Sequence, residues 1–142
     1  MKNFILTICI LFVITPLAAQ PKRSLTVRVT GIKKVSGMIK IGLYNSEDTF
    51  MVSTFRACRA EVIAEELFIP VAADIPEGTY VVSLYHDENN NGTLDRNKLG
   101  IPKEYFGFSN NVKPKLKLPS FKSCQFEIKG NTTIHIQLQK AL

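Results

Sequence analysis

The chain has 142 residues, of which 45% are hydrophobic and 21% charged, and its formal net charge is +6. This composition excludes an intrinsically disordered chain, because disordered chains carry too few apolar residues to form a core. Three cysteines are too few for a disulfide-dense scaffold, and they lack the paired spacing of a zinc site. The length predicts a single domain.

The first nineteen residues have the pattern of a secretory signal peptide. Lys2 supplies a positive start, residues 4–13 are almost wholly apolar, and small residues lead up to Ala19. The apolar run is shorter than the ~20 residues that span a bilayer, which makes a retained anchor the less favoured alternative. We predict cleavage after Ala19. The mature domain of residues 20–142 then carries a net charge of +5, has no transmembrane segment and lies in the periplasm or outside the cell.

The mature chain shows the alternation of apolar and polar residues that is typical of half-buried strands. This alternation occurs in residues 25–30, 39–43, 80–84, 124–128 and 134–138. Residues 56–71 fit either two short strands or two helical turns, and we favour strands because the rest of the chain is β. About seven strands predict an all-β, antiparallel sandwich of immunoglobulin-like or prealbumin-like type, with one long irregular loop over residues 87–123.

The start of this loop carries the spacing of a calcium-binding segment. Oxygen-bearing side chains fall on alternate positions, and a glycine occupies the sixth: Asp87, Asn89, Asn91, Gly92, Thr93 and Asp95. Calcium prefers six to eight hard oxygen ligands, and alternate residues of a tight loop direct their oxygens inward. Thr93 would contribute its carbonyl, and Asp95 would bind directly or through water.

The calcium pattern is incomplete at its twelfth position, where Lys98 replaces the bidentate glutamate of an EF-hand. Glu104 is the nearest candidate for a closing carboxylate, and Glu88 is a weaker one. Asn, Asp and Gly are also the ordinary residues of tight turns, so a metal-free turn remains the alternative.

The same segment carries a family resemblance. A family of secreted bacterial proteins, domain of unknown function 2141, is similar to this chain in residues 75–80, 84–95, 97, 99–102, 104 and 107–111. The chain departs from the family after Glu104, where Tyr105 and Phe106 replace the usual Gly and Tyr. The resemblance covers residues 25–138. It implies export and a β-sandwich, and it implies no established activity.

No catalytic motif is evident in the sequence. Transthyretin-like hydrolases carry His- and Arg-rich motifs and a terminal Tyr-Arg-Gly-Ser, and the chain has neither. We therefore expect no enzymatic activity. A small hydrolase that uses His86, which lies beside Asp87, is the third alternative.

A lysine-rich stretch suggests a partner at the cell envelope. Lys113, Lys115, Lys117 and Lys122 lie close together in the sequence, and such a basic edge could attract an anionic glycan or lipid headgroup. This is the second hypothesis, an envelope interaction protein without metal. Nucleic acid is not expected, because the stretch lacks interleaved aromatic residues. An exported chain can also keep a disulfide, so Cys58 and Cys124 are either bridged or two separate thiols.

Overall fold

The computed structural model describes residues 23–114 and 117–141. The predicted signal peptide and Lys115 lie outside the described residues. Within the described part, the elements are β1 (Leu25–Thr30), β2 (Met38–Tyr44), β3 (Arg56–Glu61), β4 (Leu67–Ala72), β5 (Gly78–Asp87), β6 (Phe106–Phe108), a 3₁₀ turn (Ser109–Asn111), α1 (Phe121–Cys124), β7 (Phe126–Ile128) and β8 (Thr132–Gln137). No described helix is long and apolar enough to cross a membrane.

The strands form two packed sheets, which confirms the predicted all-β sandwich. One sheet has the order β4-β1-β8, and the other has the order β3-β2-β5-β6, with β7 also paired to β5. Most neighbours are antiparallel, as predicted, but β1 and β8 run parallel. The last strand, β8, therefore forms one edge of the first sheet, where it pairs with the first strand, β1.

The core lies between the sheets and follows from the alternation in the sequence. On β1, every second side chain is buried, and the same holds along most of β2 and β4. These apolar faces meet in one cluster that includes Val27, Ile41, Ile69 and Ile136. Because successive side chains of a strand point to opposite faces, the alternation commits one face of each strand to this core.

Strand β5 is buried on both faces, which the alternation did not indicate. Val82 faces the core between the sheets, whereas Val81 packs into a second cluster on the outer face of the larger sheet. Aromatic residues build this second cluster, among them Phe106, Phe108 and Phe121. The predicted long irregular loop is therefore wrong in its second half, where β6 joins the larger sheet, the 3₁₀ turn follows it, and α1 contributes Phe121 to the cluster on the outer face.

Two further expectations are settled by the fold. Residues 56–71 form strands β3 and β4, as favoured from the sequence. Cys58 and Cys124 are separate free thiols: Cys58 packs against the main core, and Cys124 lies in the aromatic cluster. Burial raises the pKa of both thiols, so each is less reactive than an exposed cysteine.

We predict that Gly37→Ala destabilises the fold. Gly37 has a φ of +79°, and a methyl group there would meet the carbonyl oxygen of Asp87 and lie 2.9 Å from the Cα of Glu88. Both neighbours are backbone atoms and cannot turn away. We expect the free energy of unfolding to fall by about 3 kcal/mol in a denaturant titration.

The matched control for this change is Gly130→Ala. A methyl group at Gly130 meets no atom within 4 Å, and its φ is not positive. We expect a change within about 1 kcal/mol. Equal losses for the two variants would contradict the close packing of Gly37 against the end of β5.

Candidate functional site

The candidate site begins at the buried end of β5. Asp87 is the last residue of that strand, and its side chain is fully buried. One carboxylate oxygen accepts the N–H of Asn91 at 3.1 Å, and the other accepts the N–H of Gly92 at 2.9 Å. The carboxylate therefore fixes the turn by accepting two backbone N–H groups, one of which, that of Asn91, also donates to the side-chain oxygen of Asn89 at 3.0 Å.

The other candidate ligands lie around Asp95. The side-chain amide of Asn89 donates to one oxygen of Asp95 at 2.8 Å, and that of Asn91 donates to the other at 2.9 Å. The amide oxygen of Asn91 in turn accepts the backbone N–H and the hydroxyl of Thr93, at 2.9 and 3.0 Å. Five of the six sequence-predicted residues thus belong to one hydrogen-bonded turn.

Glu104, the sixth predicted residue, joins the two ends of this turn. Its side chain is buried, and its two oxygens accept the N–H of Glu88 at 3.2 Å and that of Asp95 at 3.0 Å. The segment that carries Glu104 is held next to β5, because the N–H of His86 donates to the carbonyl of Tyr105 at 2.8 Å. Glu104 is predicted from the sequence as a closing ligand, and that role stays a prediction; in this structure its carboxylate holds two backbone N–H groups of the turn.

The turn concentrates negative charge. Asp87, Asp95 and Glu104 all contribute to it, and Lys40 offsets part of the charge, with its Nζ 3.9 Å from Asp87 Oδ2.

The hydroxyl of Tyr85 donates to the carbonyl of Gly92 at 3.0 Å. The pKa of Tyr85 is raised, first because the phenol is partly buried and then because Asp87 and Glu104 disfavour a second negative charge nearby.

Of the two described histidines, His86 is buried and His135 is exposed. His86 is fully buried, with Nε2 2.6 Å from the carbonyl of Ser36 and Nδ1 4.0 Å from Glu88 Oε1. The Nε2 of His135 lies 2.8 Å from the hydroxyl of Thr30, on the exposed side of the smaller sheet.

Metal-ligating groups do not gather tightly in this structure. Within residues 23–114 and 117–141, no three His, Cys, Asp or Glu side chains converge on one point. The oxygens of Asp87 and Glu104 are engaged by backbone N–H groups, and those of Asp95 by two amides. The carboxylates of the turn thus already accept hydrogen bonds. A cation would have to compete with these N–H donors for the carboxylate oxygens.

Sequence reasoning missed the small hairpin that follows the turn. The carbonyl of Asp95 accepts the N–H of Lys103, and Arg96 pairs with Pro102. The side-chain oxygen of Asn97 accepts the N–H groups of Leu99 and Ile101, at 2.9 and 3.0 Å, which closes the tip. The signal available in the sequence was the pair of large apolar residues, Leu99 and Ile101, within an otherwise polar segment.

The fold and this turn together define a β-sandwich with an acidic, asparagine-rich loop anchored at the end of its central strand. Over residues 27–136, the chain matches the family model described as "Uncharacterized protein conserved in bacteria (DUF2141)". The chain belongs to this family, which confirms the resemblance seen in the sequence. Comparison with curated proteins and with solved structures gives no match.

We predict that Glu104→Ala loosens the turn. The change leaves the N–H groups of Glu88 and Asp95 without their acceptor, which should lower the free energy of unfolding by about 3 kcal/mol. Hydrogen exchange of these two amides should also accelerate, since both bonds are lost. Glu65→Ala is the control, because Glu65 is exposed, and it should change stability by less than about 0.5 kcal/mol. Unchanged hydrogen exchange at the backbone amides of Glu88 and Asp95 would show that Glu104 does not hold the turn.

Proposed function

We propose that the protein is an exported, non-catalytic binding module of the bacterial cell envelope, and that its acidic turn takes Ca²⁺ with low affinity. The observation that carries the proposal is the convergence of Asn89, Asn91 and Asp95 in one turn that Asp87 and Glu104 hold in shape. The bonds that Asp87 and Glu104 accept hold the backbone of this turn in one shape, with its oxygen-bearing side chains beside one another.

The chemistry of the side chains supports calcium over softer metals. Carboxylate and amide oxygens are the ligands of hard cations, and no thiolate or imidazole belongs to the hydrogen-bonded turn. A bound Ca²⁺ would displace the two amide nitrogens that now contact Asp95. It would also offset the negative charge that Lys40 balances only in part.

Export is supported by the signal-peptide pattern of residues 1–19. The absence of catalysis is supported by the surroundings of His86: Nε2 contacts a backbone carbonyl, and the buried Nδ1 makes no hydrogen bond, so neither ring nitrogen is bonded to a nucleophile. The family is uncharacterised, and its β-sandwich fits a non-catalytic module.

Calorimetric titration of the chain expressed from Gln20 tests the calcium proposal. This chain contains every residue that the structure describes. With few carboxylates, we expect a dissociation constant of about 10⁻⁴–10⁻³ M, the range of extracellular modules. At ~10 mM Ca²⁺, the folded state should gain about 1.4–2.7 kcal/mol, which would raise the melting temperature.

Asp95→Asn should weaken the titration at least about tenfold, because it removes the carboxylate at the centre of the turn. Asp48→Asn is the matched control, since Asp48 is exposed in a different loop. Mg²⁺ should bind more weakly than Ca²⁺, because it demands a stricter octahedral geometry. No heat and no shift in melting temperature at ~10 mM Ca²⁺ would refute the calcium site.

A second candidate function is attachment to an anionic envelope surface through the basic edge, Lys113 to Lys122. Its described lysines, Lys113, Lys117 and Lys122, are exposed, and no described carboxylate lies within ion-pair distance of them. Their charge is therefore available to a partner.

Changing Lys113, Lys117 and Lys122 together to Glu should abolish co-sedimentation with envelope fractions at low salt. Asp87→Ala should leave this association intact, since the acidic turn takes no part in it. The association should also weaken as salt rises, because exposed charges are screened. Retained association after the triple reversal would dismiss the basic edge.

A further inference from the structure

An open apolar cleft lies on the outer face of the larger sheet, beside the acidic turn. Its volume is about 740 Å³, which falls within the roughly 300–1,000 Å³ of small-molecule sites. Tyr85, Phe106 and Phe108 form its floor. The hairpin after the acidic turn forms one wall, and Pro114 and Leu118 belong to the other.

Large apolar side chains stand exposed at the rim of this cleft. Leu99 is 83% exposed, Leu118 is 53% exposed and Met51 is 36% exposed, and all three line the cleft. The side-chain oxygen of Asn97 accepts the N–H groups of Leu99 and Ile101, which fixes the backbone at this position. Leu99 is therefore exposed on a hydrogen-bonded turn. Contiguous exposed apolar surface around a concavity marks a binding site.

The charged groups of the cleft are all cationic. Arg96 and Lys117 line it, and no described Asp or Glu does. Arg96 is anchored by one N–H that donates to the carbonyl of Gly100 at 2.9 Å. A guanidinium has five N–H donors, so most of them remain free for a ligand anion. The cleft thus pairs an apolar floor with a cationic rim.

We propose that this cleft binds a monomeric, single-chain amphiphile with an anionic head, such as a fatty acid. The alkyl chain would lie on Tyr85, Phe106 and Phe108, and the carboxylate would contact Arg96 and Lys117. A free amphiphile fits better than a bilayer surface, because a flat surface cannot fill a concave cleft. The inference rests on the proposed role of the protein as a binding module, but not on calcium.

Titration of the chain from Gln20 with dodecanoate, in EDTA and below the concentration at which the amphiphile aggregates, tests the proposal. We expect one site per chain. Affinity should fall about fourfold for each methylene removed, through decanoate to octanoate, because burial of one methylene is worth about 0.8 kcal/mol. Dodecyltrimethylammonium, which has the same chain but a cationic head, should bind at least about tenfold more weakly.

Two pairs of variants locate the site. Leu99→Gln should reduce dodecanoate affinity about tenfold, whereas Ile63→Gln, at a residue that is 72% exposed and outside the cleft, should leave it unchanged. Lys117→Glu should narrow or reverse the preference for dodecanoate over dodecyltrimethylammonium, whereas Lys122→Glu should not. All four positions are exposed, so the variants should melt like the unmodified chain.

Four results would overturn the proposal. The first is equal binding of the anionic and the cationic amphiphile, and the second is an affinity independent of chain length. The third is unchanged dodecanoate binding by Leu99→Gln. Binding to phosphatidylglycerol vesicles without binding of dodecanoate would also overturn it, in favour of a membrane surface. Because EDTA is present throughout, loss of the calcium site leaves the outcome of this experiment unaffected.

Discussion

Strand β5 is the element on which the rest of the structure depends. It pairs with β2, β6 and β7, and side chains on both of its faces are buried. Val82 anchors the core between the sheets, and Val81 anchors the aromatic cluster outside them. A strand held on both faces cannot shift its register without exposing one of them. Its end is therefore a fixed point, and the acidic turn begins there with Asp87.

From that fixed point, one continuous segment builds two distinct chemical environments. The carboxylates of Asp87 and Glu104 satisfy backbone N–H groups and so shape a polar turn that concentrates negative charge. The hairpin that follows contributes Leu99 and Arg96 to the lining of an apolar cleft with a cationic rim. Asp95 belongs to both parts, through its side chain in the turn and its carbonyl in the hairpin.

The strands with one buried face could be predicted because their alternation is visible along the chain. Strand β6 could not, since it has only three residues, Phe106–Phe108, and all of them are buried. Position 107 of this strand requires glycine, because a side chain would collide with Ile136 of the opposite sheet. The alternation predicts Cys124 in a strand, which is wrong: Cys124 is the last residue of α1, a single turn capped by Ser120. A helix of four residues is too short to show a period in the sequence.

By itself, the sequence determined the sandwich class, the family and the spacing of oxygens in the acidic turn, because each depends on residues close together in the chain. Only the tertiary structure decided that Glu104 braces the turn, that Cys58 and Cys124 stay apart, and that Leu99, Phe106 and Leu118 share one cleft. These relations join residues that the sheet pairing brings together from distant positions. Alternation specifies which face of a strand is buried, but it does not specify which segment covers it.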